Sequence, residues 1–570
     1  MAQHRLISNR APPFRLLPTK SRVSGQNHPP PARMSASAEP EKAAAAGAGE
    51  EDAGSGGELL YCGGTNFVAM NRKLPGAMQG NLVSPTRLRS LVGVDIRSVA
   101  TGCTACHSVA LGADGRCYTW GRNEKGQLGH GDTLQRNLPT VVSELSKYKI
   151  IKASVGRNHT VVVTDEGKSF AFGHNKHGQL GTGSLRNEME TSPVPCLVTD
   201  VTNAVCGGDF TVWLSSVEGS SILTAGLPQY GQLGHGTDNE YNTKDSSVKL
   251  SYEAQPRPKA IAVFSEKTVV KVACGTNHTV AVDSSGFVYT WGYGGYGRLG
   301  HREQKDEWKP RLVEIFQKHN VLPPNAIVSA GSASSACTAG GGQMYMWGKM
   351  KTTGDDWMYP KPLMDLSGWN VRCMASGNMH HIVGADDSCI SWGNAQFGEL
   401  GYGPNGQKSS ANPKKVESLN GMHVTSVGCG YGLSLIVVDR AKAGSKLDEL
   451  DIYDGDASTQ VEEQVEVKAT KKAPASAKSN KRKKTKDISE SEEEDEDDSS
   501  DDENGDVKGG RGGRKPSTRG RGRGAKKATP EPKSSGRGRG RPKKTESPPS
   551  AKAGSSGRGG KRGRGRPRKS

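Results

Sequence analysis

Apolar residues in the middle of this chain come in short runs closed by polar turns, without helical periodicity. "HTVVVTDEGKSFAFG" (159–173) and "HTVAVDSSGFVYTWG" (278–292) show the unit. An alternating or continuous apolar run, a tight polar turn with glycine and a second apolar run predict a β-hairpin. A strand ending in the glycine of "ACG" precedes it. A glycine-rich loop follows, then a proline-bearing segment such as "PRLVEI" (310–315). Proline suits an outer strand, where a missing N–H costs no ladder bond. Each unit therefore predicts four strands.

The unit repeats. "YTWGRNEKGQLGHG" (118–131) returns as "FAFGHNKHGQLGTG" (170–183), "LTAGLPQYGQLGHG" (223–236), "YTWGYGGYGRLGH" (289–301), "YMWGKMKTTG" (345–354) and "ISWGNAQFGELGYG" (390–403). "LLYCGGTNF" (59–67) is an early, degenerate copy. The aligned glycines are Gly63, Gly121, Gly173, Gly226, Gly292, Gly348 and Gly393, spaced 45 to 66 residues apart. A second motif, "ASVGRNHTVVV" at Ala153 and "VACGTNHTVAV" at Val272, also occurs seven times. Four strands in each of seven units predict an all-β, seven-bladed propeller over residues 58–440. The motifs are out of phase: the first opens the series at Leu59 and the second closes it at Val438. Pairing the two ends in one shared blade closes the ring without a free edge.

This repetition changes how the candidate chemistry reads. The glycines of 118–131 resemble a phosphate cradle, but Gln127 stands where a P-loop needs lysine, and the loop recurs in the other units. They read as turn residues. "GYGGYG" (292–297) fits a dinucleotide pattern, yet belongs to the same series with no helix predicted after it. His107, His159, His278 and His380 recur once per blade, but Phe210 and Leu433 hold the same place. That argues for hydrogen bonds between blades, not a metal ring. "NHT" at Asn158 and Asn277 lies in the repeated core, which argues against glycosylation. The one close cysteine pair, Cys103 and Cys106, has no second pair to complete a zinc site. Buried free thiols of a reducing compartment are expected. No nucleophile–base–orienter set stands out, so no catalytic residue, metal or cofactor is assigned. The longest insertion, Thr237–Lys267, carries Tyr241, Tyr252, Arg257 and Phe264 and is the candidate partner-binding loop.

These repeats resemble the regulator of chromosome condensation family, over about residues 58–440. "GYGRLGHREQKDEWKPRLVEIF", "MYPKPLMDLSGW" and "AQFGELGYG" look most like its second member, which is mitotic and centromere- and microtubule-associated, rather than the founding exchange factor for Ran. The resemblance implies binding of chromatin and of a Ras-superfamily small GTPase, with microtubule or centromere proteins as further partners. As an alternative it implies guanine nucleotide exchange, in which the propeller holds a GTPase state whose phosphate site is open. A monomeric propeller is expected.

Composition sets the rest of the chain apart. Hydrophobic residues make up only 33% of the sequence, and the deficit lies in residues 1–57 and 441–570, predicted to be disordered. Residues 508–570 hold 23 Lys and Arg against 2 Glu, so the basicity of the chain lies there. Just before it, 13 of the 20 residues from Asp487 to Asp506 are acidic, which suggests a tail able to shield itself. "GRGRGRPKK" (536–544) and "KRGRGRPRK" (561–569) each look like an AT-hook. Arg539, Gly540, Arg541 and Pro542, and Arg564, Gly565, Arg566 and Pro567, supply its parts. Arginines lie along a narrow A·T minor groove, glycine admits the backbone, and proline keeps it extended. The segment 441–507 reads as a linker with an import signal at Lys481, Arg482, Lys483 and Lys484 and acidophilic phosphorylation candidates at Ser489 and Ser491. Nuclear localisation follows. A lead with five Arg, one Lys and no acid up to residue 38 offers an organellar, RNA-related alternative through residues 1–33, or an extended start before Met34. No apolar run is long enough to span a membrane.

Overall fold

The computed structural model describes residues 57–455, apart from 71, 73–79, 243–249 and 352–353. Seven four-stranded antiparallel blades make up the architecture, as the repeat predicts. Blade two shows the plan: Ile150–Val155 innermost, then His159–Thr164, Ser169–His174 and, outermost, Met189–Pro195. Blade one spans 96–141, blade three 201–260, blade four 269–312, blade five 328–362 and blade six 371–415.

Every outer strand carries proline. Pro85, Pro139, Pro193, Pro258, Pro310, Pro360 and Pro413 fall at matching places. The register against the third strand slips beside them, as between Thr119 and Gly121 in blade one. Such a bulge accommodates the missing donor and adds twist. The glycine that ends each third strand has a steric cause. Gly121 has φ 108°, and a Cβ there would lie 2.5 Å from the Cys106 carbonyl oxygen. The six equivalent glycines also have positive φ.

The core lies between blades. Val109 and Leu111 of blade one pack with Val155, Val162 and Phe172 of blade two. Trp120, Trp291 and Trp347 sit at the ends of third strands, Trp213 lies in the second strand of blade three, and all four are fully buried. Each such side chain contributes roughly 1.5–3 kcal/mol by leaving water.

The closing blade joins the two ends of the folded region. Gly57–Gly63 runs antiparallel to Leu433–Asp439, with Gly57 opposite Asp439 and Gly63 opposite Leu433. Val424–Cys429 is innermost and Leu82–Leu88 outermost. Glu58, 1% exposed, accepts from Arg87 Nε at 3.1 Å and from Arg440 Nη2 at 3.0 Å. The ordered chain then continues past residue 440, which corrects the predicted linker start. Asp439 caps a helical turn, Arg440–Ala443; a 3-10 segment, Gly444–Glu449, follows; and Ile452–Tyr453 adds a parallel strand beside Leu82–Leu88. Leu447 is buried against the closing blade and Leu450 and Tyr453 are partly buried. So few apolar residues in a polar stretch give no periodicity, and the sequence reading missed them.

Antiparallel order gives the ring two faces. Turns between first and second strands and loops between third and outer strands share one, here called the loop face. The other carries the turns between second and third strands and the connections between blades. Gly57 and Asp439 meet on that second face. Among the described residues no helix is long and apolar enough to cross a membrane.

Candidate partner-binding face

The repeated histidines bind neighbouring blades together. His107 Nε2 lies 3.0 Å from Thr160 Oγ1, His159 Nε2 2.9 Å from Thr211 Oγ1, His278 Nε2 2.8 Å from Ser335 Oγ and His380 Nε2 2.9 Å from Ser434 Oγ. Each hydroxyl donates in turn to a loop carbonyl of the blade that carries the histidine: Gln127, Gln179, Arg298 and Glu399. The hydroxyl proton is thus committed, so Nε2 carries the ring proton and Nδ1 is bare. Burial pushes His107 down to about 3 and His159 and His380 to about 4. Nδ1 of His107, His159 and His278 is buried without a hydrogen-bond partner, so protonation there would leave a charge unmet. Where Phe210 replaces histidine, Trp291 Nε1 donates to the Gln232 carbonyl at 2.9 Å instead. Among the described residues no group of three His, Cys, Asp or Glu side chains could hold a metal ion. Cys103 and Cys106 are free and buried.

The loops above this girdle present rings and cations. Tyr230 and Tyr293, from the loops of blades three and four, meet with centroids 4.6 Å apart and ring planes tilted by 39°. Arg298, itself buried, lies against Tyr293 and Tyr296. Its guanidinium is 4.4 Å from the Tyr293 ring and 5.5 Å from Tyr296, and it donates to the Gly295 and Ser332 carbonyls at 2.9 Å each. Lys349 of blade five covers Tyr296 at 4.1 Å. On the blade-two side, His174 and His177 stand edge to face at 6.1 Å, beside Asp209, whose carboxylate lies 3.4 Å from Arg157 Nε. Burial raises Asp209, but Arg157, His177, His159 and His174 outweigh it and hold the group below its ordinary value. Half-buried tyrosine with arginine is the composition of interface hot spots.

The predicted loop divides into parts with different fates. Glu240–Asn242 and Leu250–Tyr252 form a separate two-stranded hairpin, with Tyr241 opposite Ser251 and Glu240 opposite Tyr252. It joins the third and outer strands of blade three and therefore stands on the loop face. Arg257 is exposed but belongs to the outer strand, Gln255–Ala260. Phe264 is not a contact residue. It is 1% exposed, lies edge-on to Tyr289 at 5.1 Å and packs on Trp291 in the core. It ends a 3-10 turn whose counterparts bury Leu91, Leu145, Leu366 and Leu419 in other blades. The sequence reading also missed Tyr230, Tyr293, Tyr296 and Arg298. Their signal was arginine in "GYGRLG" where three other loops have "GQLG". The AT-hook residues, the import signal and Ser489 and Ser491 lie outside the described residues.

Comparison with known proteins fits this geometry. The regulator of chromosome condensation (RCC1) repeat matches residues 114–163, 166–214, 221–282, 285–338 and 386–437. Protein RCC2 of Mus musculus is 40% identical over 425 residues, which are 70% of this chain and 80% of that protein. The chain belongs to the RCC1 repeat family. Within the family, the Protein RCC2 homolog of Danio rerio is 38% identical over 423 residues, covering 70% of this chain and 84% of its own. The solved structure of Prp20p from Saccharomyces cerevisiae shares the RCC1-repeat fold with TM-score 0.52 at 18% identity, covering 72% of this chain and 95% of Prp20p.

Proposed function

We propose that this chain is a nuclear, chromatin-associated scaffold that holds a Ras-superfamily small GTPase on its loop face and A·T-rich DNA through its basic tail. The observation that carries the reading is the belt of Tyr230, Tyr293, Tyr296, Arg298 and Lys349, on the face from which the 240–252 hairpin stands. Tyrosines braced by cations lose little side-chain freedom on binding, which favours them as anchors. The structure of Prp20p was described together with its binding to Gsp1p and histones, a property of that protein which supports a similar partner class here.

The test replaces residues 240–252 with a short Gly-Ser turn in the full chain. Binding of Ran-, Rac- and Ral-type GTPases is measured beside release of a fluorescent nucleotide. Loss of GTPase binding with an unchanged melt supports the scaffold. Binding that survives the deletion and the Tyr230→Ser, Tyr296→Ser pair refutes the assignment of this face. Nucleotide release well above background would make the chain a guanine nucleotide exchange factor. For the tail, alanine at Arg539, Arg541, Arg564 and Arg566 should abolish preference for A·T over G·C duplexes, whereas equal loss on both would mark a generic basic tail.

A further inference from the structure

One position breaks the repeat in a way the fold does not require. Gly131, Gly183, Gly236 and Gly403 follow their loop motifs with φ between 81° and 90°. Each donates its N–H to the outer strand of the next blade, to Thr191, Pro256, Trp308 and Val83. Blade four has Arg302 at this place. It makes the same bond, to Met358 at 2.8 Å, with φ 67°. A left-handed backbone is costly for an L-residue, so arginine here stores strain that glycine would not. The strain sets the side chain over the exposed ring of Tyr359, 4.8 Å from its centroid, and Lys361 approaches the same ring at 5.4 Å. Arg302 forms no ion pair with a described carboxylate.

Beneath this pair runs an outer groove between blades four and five. It encloses about 280 Å³ and is lined by His301, Arg302, Arg311, Glu314, Ile315 and Tyr359 among others. Arg311 is already committed, to Glu303 at 2.6 Å and to Glu307 at 2.7 Å. Arg302 therefore supplies the charge not yet engaged, beside an apolar wall of Ile315, Tyr359 and Pro360. Glu314 lines the groove and Glu303 and Glu307 border it through Arg311, carboxylates that disfavour a polyanion such as nucleic acid. We propose that this groove captures a short peptide segment of a partner protein, in which an acidic residue pairs with Arg302 and a following aliphatic residue packs on Ile315 and Tyr359. The site opens on the outer rim, and its lining shares no residue with the tyrosine belt, although Arg302 belongs to the same blade-four loop.

The test uses a built-in control. R302G restores the residue that the other four loops use, so it removes the charge and relieves the strain together. A degenerate library of peptides of about twelve residues is depleted on full-length R302G and then selected on the full-length wild-type chain. Peptides held only by the basic tail are lost in the first step. Acidic residues followed by Leu, Ile or Val should be enriched, and the selected peptide should bind R302G and Y359S about tenfold more weakly, the scale of one charge-assisted contact. R302G should melt no lower than wild type. Failure to enrich an acidic–aliphatic pattern, or binding to R302G within about twofold of wild type, overturns the proposal. So does single-stranded DNA binding that R302G weakens more than it weakens the peptide.

Discussion

Replacing Glu58 with alanine tests how the ring is held shut. The carboxylate is 1% exposed and accepts from Arg87 Nε, Arg440 Nε and Nη2, and the Gly93 N–H at 3.0–3.3 Å. Removing one member of a buried ion pair costs about 3–5 kcal/mol, because its partners stay buried without compensation. Here both arginines keep second partners: Arg87 the Leu447 carbonyl and Asp448, Arg440 the Val94 carbonyl and Asp95. The Arg440 side chain is also 32% exposed, so water relieves part of the loss. The expected cost is therefore about 2–3 kcal/mol. Unfolding entropy of about 2.1 cal/mol/K per residue, over roughly 400 folded residues, gives about 0.8 kcal/mol/K and a fall in Tm of about 2–4 °C. Calorimetry of wild type, Glu58→Ala, Arg440→Ala and the double variant measures this and the coupling between the two residues. Because the pair sits where Gly57–Gly63 meets Leu433–Asp439 in the closing blade, Glu58→Ala should also hasten proteolysis within 57–88. A Tm within about 1 °C of wild type, with additive single effects, would refute the view that this triad locks the ring.

Acid should unlock the interblade girdle. The histidines sit near 6.5 in the unfolded chain, but His107 lies at about 3 and His159 and His380 at about 4 when folded. The unfolded state takes up protons first, so their stabilisation is intact above pH ~6.5 and is lost as pH falls toward ~4, at about 1.4 kcal/mol per pH unit for each histidine. Urea titrations at pH 7.5 and pH 5 should differ by about 2 kcal/mol per histidine; a flat profile would contradict their burial as neutral rings. Phe264→Ala should cost about 3–5 kcal/mol in urea unfolding and leave GTPase binding by the remaining folded protein unchanged. Gly121→Ala forces a Cβ to 2.5 Å from the Cys106 carbonyl oxygen; a loss of about 2–4 kcal/mol is expected in the same assay.

What the sequence made legible was what repetition encodes. Strand order, blade number and the shared closing blade followed from the spacing of glycines and the phase of two motifs, because a bulge or a positive φ must recur wherever the same turn recurs. Phe264 shows how the inference fails. Read as part of an insertion, it was an aromatic residue on a loop. Aligned by blade, it occupies the place of Leu91, Leu145, Leu366 and Leu419, each of which plugs the base of its blade. Insertion length was the stronger signal and hid the register. The segment after residue 440 failed for another reason. Four apolar residues spread over 447–453 specify nothing alone; they acquire structure only from an edge, Leu82–Leu88, lying far away in the sequence.

Departures from the repeat need sorting, because they do not all carry the same meaning. Glu399 replaces glutamine, yet its carboxylate accepts from the Gln396 and Phe397 N–H groups much as Gln127 and Gln179 accept from Lys125 and His177. The structural bond survives, so the change says little about function. Arg298 has no acceptor oxygen to offer. The Tyr296 N–H is met instead by Gln304 Oε1 at 3.3 Å, while the guanidinium goes to the Tyr293 and Tyr296 rings. Arg302 keeps the backbone bond and adds strain. In blade four, then, two arginines stand where the repeat would be satisfied by glutamine and glycine, one feeding the loop face and one the rim. Departures in other blades, such as Glu399, keep the structural bond, whereas here the sequence has spent local stability on surface chemistry. That is the physical basis for placing recognition around blade four, on the side chains its glycine-rich loop carries, while the glycines themselves serve the turn.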